Sequence, residues 1–547
     1  MLHGLLALAV AADLVLSGGR IWTGDPGRPE AQAIAIWRDR ILALGSSAEM
    51  KPLTGPRTRV IDLQGRRVVP GLHDSHVHFL DSGLALARVQ LKDAPDEAEL
   101  GRRLREFDRK LPPGAWLLGG NWDHDRALSG QLPTAALLDK YVSGRPVFLS
   151  RYDGHMALAN TRALALAGIS AGTPDPPGGV IYRAPGRREP TGLLRDGAMD
   201  LVGRVVPPPS DADIEAAVRA AMAEARRVGV TSLCDLEGSG SEVRRRLFRQ
   251  YQRLARAGEL TVRVRVYWPL AEWKQLADVG VREGLGDSVV QIGGVKGFVD
   301  GSIGSSTAKM YEPYLNEPGS TGIYVTPLGT LREWIRGADA AGLQVIVHAI
   351  GDRANAELLS IFAEVAQKNG ARDRRFRVEH AQHLRRQDLA RFRELGVIAS
   401  MQPYHAIDDG RWVEGRIGVR RCETSYALRA LADAGARLAF GSDWSVAPLD
   451  PLTGIDAAVN RRTLDGKHPG GWFPEQRIPV QAALEGYTRG AAYAAFAERE
   501  RGSLEPGKLA DLVVLSRDIL DPKERDHIAE TRVALTILGG RVVYEGR

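Results

Sequence analysis

The feature that most constrains the fold is a repeated alternation of apolar, strand-like runs with helical segments. Strand candidates occur at 68–79, 229–236, 261–268, 289–300, 343–351, 376–381, 397–403 and 438–444, eight in all. Most of the gaps hold a segment whose apolar residues recur every 3.6 positions, such as 211–227, 242–257, 354–369 and 424–434. Strand–helix units in this order bury both faces of a parallel sheet, and eight of them predict a (β/α)8 TIM barrel, an α/β fold. The interval from His73 to Asp443 is too long for eight units, and the surplus lies at about 82–208, a Pro- and Gly-rich stretch between the first two strands. Without it about 245 residues remain, the size of one barrel. The stretch therefore reads as a subdomain inserted over the barrel mouth. A doubly wound nucleotide-binding sheet is the rival fold. Its best glycine motif, Gly238-Ser239-Gly240, has Val243 where the third glycine belongs, and there is no G-x-x-x-x-G-K-[ST].

The two chain ends share a vocabulary. Residues 12–24 (ADLVLSGGRIWTG) and 533–546 (VALTILGGRVVYEG) each set a Gly-Gly-Arg turn between β-branched runs, a hairpin signature. This predicts one small β-sandwich domain built from 12–66 and 499–547, with the barrel and its insertion taking 67–498. Residues 5–12 (LLALAVAA) end in the A-x-A pattern Ala9-Val10-Ala11. Although the basic n-region is missing, the run favours an export signal within 1–11 over an extended first strand.

Composition closes off several classes. Hydrophobic residues make up 44% and charged residues 26%, as in an ordinary soluble domain, and no uncharged apolar run is long enough to span a bilayer. The charge of +6 is a weak excess without a basic stripe interleaved with aromatics, so neither nucleic acid nor membrane insertion is expected. The two cysteines, Cys234 and Cys422, neither argue for a disulfide framework nor exclude one bridge.

The chemistry concentrates at strand ends. In PGLHDSHVHF (70–79), His76 and His78 are two residues apart on a strand, so both imidazoles point to one side. In a barrel that side is the interior, and the strand end is the active-site mouth. His348 ends the fifth strand candidate, His380 the sixth and Asp443 the eighth. Lys296 lies inside the apolar fourth, where an ammonium is costly to bury. Either it pairs with a carboxylate such as Asp300 or its charge is removed chemically.

This ordered set resembles the amidohydrolase superfamily, and within it family 3, which includes N-substituted formamide deformylases. The likeness extends to VKGFVDGSIGSSTA from Val295, HAIGDRA from His348, RVEHAQ from Arg377, GSDWSVAPLDPL from Gly441, NWDHDR from Asn121 and the Asp153-Gly154-His155 segment. The resemblance implies a two-metal centre. His76 and His78 would hold the more buried ion and His348 and His380 the more exposed one, with an N6-carboxylated Lys296 bridging them. Carboxylation turns the costly cation into an anionic oxygen ligand. Asp443 would contact the first ion and act as the catalytic proton carrier. Zinc suits imidazole and oxygen donors best, with iron, manganese and nickel also fitting.

Weaker candidates for substrate contact are His155, Trp122, Asp123, Gln402 and His405, with His124 as pocket wall. His73, His383, His468 and His527 read as structural or surface residues. The implied reaction is hydrolysis of a C–N bond (amide, N-acyl or N-formyl) in a small molecule by a metal-activated water. The alternatives are an ester or lactone hydrolase or a deaminase on the same barrel, or a non-catalytic scaffold. Barrel deaminases generally use one metal and lack the lysine, and scaffolds lose ligands that are all present here. The sequence is compatible with a homo-oligomer.

Overall fold

The computed structural model describes residues 11–236 and 241–546. Its centre is a parallel barrel of β1 (Leu72–Val77), β2 (Val230–Asp235), β3 (Arg263–Pro269), β4 (Val290–Phe298), β5 (Gln344–Ala349), β6 (Arg377–His380), β7 (Ile398–Met401) and β8 (Arg437–Phe440). Each strand pairs in parallel with the next in chain order. The ring closes just beyond β8, where Val77 bridges Trp444 in parallel. There the Asp443 N–H donates to the His76 carbonyl at 2.7 Å and the His78 N–H to the Trp444 carbonyl at 3.0 Å. This closure brings Asp443 beside the two histidines of β1.

The strands are buried on both faces, which is why they read as near-continuous apolar runs. The helix Asp211–Arg227 illustrates the outer layer. Ser210 and Asp213 form a reciprocal capping box, Arg226 and Arg227 sit in its last turn, and Ile214, Ala217, Val218, Ala221, Met222 and Ala225 form its buried stripe.

Two expectations change in detail. The single strand candidate at 68–79 is two strands, Arg67–Pro70 in an outer sheet and β1 in the barrel. The break falls at Gly71, where a Cβ would lie 2.2 Å from the Thr231 hydroxyl, so only glycine lets the chain cross between layers. The helix anticipated at 424–434 is Leu428–Asp433. Ser425 instead bridges to His383, and Tyr426 has a left-handed φ of 50°.

The chain ends meet in one six-stranded sheet, ordered Arg541–Glu545, Val533–Leu538, Leu512–Leu515, Arg67–Pro70, Arg20–Trp22, Glu30–Ala31. A four-stranded sheet ordered Arg40–Gly45, Ala33–Trp37, Leu14–Ser17, Arg59–Asp62 faces it. Leu16, Ile34, Ile36, Val68, Val514 and Ile537 pack between the two. The insertion after β1 carries its own six-stranded sheet, from Val89–Gln90 at one edge to Gly179–Arg183 at the other, with a separate apolar core.

No helix among the described residues is long and apolar enough to cross a membrane. Cys234 and Cys422 are both free and buried. The export-signal reading falls on residues 5–12, which apart from Ala11 and Ala12 lie outside the described residues, as do Gly238, Ser239 and Gly240.

Candidate metal centre

Strand ends β1, β4, β5, β6 and the segment after β8 converge on one buried cluster. His76, His380 and Asp443 each offer a ligand atom, all within 4.8 Å of one another. His76 Nε2 lies 3.4 Å and His78 Nε2 3.2 Å from Asp443 Oδ1. His348 packs against His380 with ring centroids 4.6 Å apart. His380 and Asp443 are non-glycine residues in the left-handed region, at φ 78° and 60°. Such strain persists where surrounding structure enforces it, commonly at functional sites.

Hydrogen bonds assign the tautomers. His76 Nδ1 donates to Glu379 Oε2 at 2.7 Å, which leaves Nε2 as a lone pair facing Asp443. His380 Nδ1 donates to Gln402 Oε1 at 2.8 Å, leaving its Nε2. His348 Nε2 donates to the Gly301 carbonyl at 3.2 Å, leaving Nδ1. Burial first, then neighbouring positive charge, pushes all three imidazoles well below their ordinary range. Burial alone would raise Asp443, yet His76, His78 and His405 hold it well below the usual carboxylate range. Two imidazoles and a carboxylate with their ligand atoms within 4.8 Å of one another, and further imidazoles beside them, are a donor set that fits a divalent metal.

Lys296 is buried in β4, and its charge lowers His76, His348 and His380 alike. Burial brings its ammonium down to about 8, with Glu379 and Asp443 pulling the other way. It does not pair with Asp300. That carboxylate accepts from the backbone N–H groups of Ile350 (3.0 Å), Gly351 (2.8 Å) and Lys309 (2.7 Å), so it braces the loops around β5. Among the described residues no carboxylate oxygen comes within 4.0 Å of Lys296 Nζ.

The cluster opens into a cavity lined by residues of the insertion and of the loops after β4 and β7. His155 and His405 line it. Gln402 does not, acting instead as the partner of His380. His155 stands 5.0 Å from the His348 ring, and although burial opposes its charge, Asp196 at 2.5 Å raises it to about 9. Trp122 does not reach the mouth. Its indole packs in the insertion's apolar core and donates to the Leu149 carbonyl at 2.8 Å. Asp123 meets Arg411 at 3.2 Å in an outer cavity. Asp123, His124 and Asp125 also lie close enough to hold an ion, but Arg411, Arg416 and Arg151 already engage the carboxylates at 3.2, 3.0 and 3.2 Å. His73 and His383 are buried against Cys234 and Ser425, and His527 is exposed beside Glu530.

Sequence reasoning passed over three residues. Glu379 orients His76 and is itself held by Arg377 at 2.7 Å, with both side chains fully buried. Asp74 accepts from the backbone N–H groups of His76 and Ser442, both at 3.0 Å, and so ties β1 to the segment carrying Asp443. All three sit inside segments already singled out, RVEHAQ and PGLHDSHVHF.

Comparison with known proteins agrees with this geometry. A model of the amidohydrolase family matches residues 59–544. Protein LONG AFTER FAR-RED 3 of Arabidopsis thaliana is 40% identical over 98% of this chain and 92% of its own length. The N-substituted formamide deformylase of Arthrobacter pascens is 27% identical over 97% and 98%. The crystal structure of an uncharacterized metal-dependent hydrolase from Pyrococcus horikoshii superposes with a TM-score of 0.75 at 29% identity, covering 93% of this chain and 99% of that one. With the barrel, the closure and the donor set in place, the chain belongs to the amidohydrolase family.

Proposed function

We propose that this protein is a metal-dependent hydrolase that cleaves a C–N bond of an amide, N-acyl or N-formyl compound. Two divalent ions, zinc by the character of the donors, would be held by His76, His78, His348, His380 and Asp443, with a carboxylated Lys296 between them. Ions bound there would lower the pKa of a water and polarise the scissile carbonyl. Asp443 takes the proton from the attacking water. The water oxygen adds to the carbonyl carbon, the C–N bond breaks, and Asp443 returns the proton to the leaving nitrogen. His155, a cation over the same cavity, faces the substrate's polar end.

The observation that carries this reading is the convergence of His76, His380 and Asp443, with His78 and His348 beside them, at a cavity in the barrel mouth. A relative of full-length similarity named for formamide deformylation points to the bond class. Lys296 speaks against a deaminase, since its unpaired burial calls for chemical neutralisation.

The test is elemental analysis joined to a substrate screen. Close to two divalent ions per chain are expected, with hydrolysis of N-formyl or N-acyl compounds abolished by chelation and restored by metal. Full activity in metal-free protein, or turnover confined to esters, lactones or amino-heterocycles, overturns the proposal.

A further inference from the structure

The cavity above the cluster holds buried polar atoms without a partner. Tyr152 follows the strand Val147–Arg151 of the insertion and is 4% exposed. His405 lies in the helix Pro403–Asp409 after β7 and is 7% exposed, and Trp412 precedes the helix Val413–Ile417. All three line the cavity that His348, His380 and Asp443 also line. Tyr152 Oη, His405 Nε2 and Trp412 Nε1 are buried atoms with no hydrogen-bond partner in the protein. His405 Nε2 stands 3.8 Å from Asp443 Oδ2.

Buried polar atoms are normally paired, and leaving a donor unpaired is costly. Three around one cavity, from three chain segments, mark a place where a ligand supplies the missing partners. The indole N–H can only donate, so the ligand must accept there. The sign of the ligand's charge follows from what else faces the cavity. Asp408 and Asp409 line it. Asp408 is paired with Lys92 at 3.1 Å and with Arg411, while Asp409 accepts from the Tyr426 hydroxyl. The buried Arg151 guanidinium is engaged by Asp153 at 2.7 Å and Asp125 at 3.2 Å. Each of these cations has its counter-ion, His155 included through Asp196 at 2.5 Å, and a substrate carboxylate would face two further carboxylates without a free cation to meet it.

We propose that Tyr152, Trp412 and His405 form an acceptor-binding subsite, and that the substrate is a neutral amide-type compound bearing a second, uncharged acceptor (a carbonyl or ring nitrogen). This deepens the C–N hydrolase reading and rests on it. Free carboxylates, such as those of N-acyl amino acids, are disfavoured.

The test uses the metal-loaded enzyme and three matched compounds: formanilide, N-(4-pyridyl)formamide and 4-formamidobenzoate, at mildly alkaline pH where the pyridine is neutral. After division by their uncatalysed rates, kcat/KM should favour the pyridyl compound over formanilide by at least about tenfold and should be lowest for the benzoate. Tyr152→Phe and Trp412→Phe, each checked by circular dichroism and metal content, should bring the pyridyl-to-phenyl ratio toward one. A ratio unchanged in both variants, or a preference for the benzoate, overturns the subsite. If no formamide is hydrolysed, the C–N reading fails separately. The same compounds then serve as ligands in titration calorimetry, where the same order of Kd and its loss in the variants support the subsite. Equal Kd values overturn it.

Discussion

Lys296 offers the sharpest perturbation, because its two roles give opposite signs in metal-free protein. Its Nζ has the Phe298 ring 5.0 Å away, and among the described residues no carboxylate lies within 4.0 Å. Folding shifts its ammonium from 10.5 to about 8, chiefly through burial. A lowered lysine pKa means that the folded state disfavours the charged form. The penalty is full below about pH 8, shrinks as pH rises, and is gone above the unfolded value. At about 1.4 kcal/mol per pKa unit, it amounts to about 3 kcal/mol at neutral pH. Methionine has similar length and no charge, and such a swap usually costs less than about 1.5 kcal/mol in packing. Chelated Lys296→Met should therefore be more stable than chelated wild type by on the order of 2–3 kcal/mol at neutral pH. The advantage should fade as pH rises from about 8 and be gone above about 10.5.

Urea unfolding followed by tryptophan fluorescence, at both pH values, reads this directly. The same variant should lose bound metal and hydrolysis while remaining folded. In Lys296→Ala, acetate or formate filling the vacated space should restore part of the activity, and bicarbonate should speed reactivation of metal-free wild type. A Lys296→Met protein less stable at neutral pH would show that the lysine has an ionic partner. Two tightly held ions in it would remove Lys296 from the centre.

Two further outcomes follow from the residues around the cluster. Glu379→Gln keeps the shape but weakens the acceptor that holds His76, so metal affinity measured by chelator competition should fall about 10–100-fold; unchanged affinity would make Glu379 a folding residue only. Asp196→Asn removes the partner that raises His155 to about 9. The stabilising charge of that pair is fully present below the ordinary histidine value and is lost as pH rises through about 9. An alkaline limb of kcat/KM near that pH should therefore move down toward about 6.5 in the variant, and a limb that stays put would separate His155 from catalysis.

The barrel was legible because its strands are buried on both faces and its helices on one, two periods that local sequence carries. The residues that cluster at the mouth were legible as residue types at strand ends. Their partners were not, because the pairings are remote. His76 and Glu379 are 303 residues apart and Ser442 and Asp74 368 apart, and no local pattern encodes such contacts. The insertion was legible as surplus length, yet Trp122 and His155 looked alike as aromatic or imidazole residues in polar loops. Only the insertion's own sheet, which turns Trp122 into its core, separates them.

Elsewhere periodicity itself misleads. Along β6, strict alternation puts Arg377 and Glu379 on one face and Val378 and His380 on the other. The structure brings both Glu379 and His380 to the imidazole cluster, where His380 adopts φ 78° at the strand's last residue and breaks the alternation. Likewise, the four-residue spacing of Lys296 and Asp300 suggests a pair on one face. But β4 ends at Phe298, and the chain turns Asp300 toward three backbone N–H groups. Period-2 reasoning holds only while the backbone stays extended, and a barrel enzyme places its chemistry where extension stops. The end of β4 turns Asp300 away from Lys296, and near the end of β6 Glu379 orients His76.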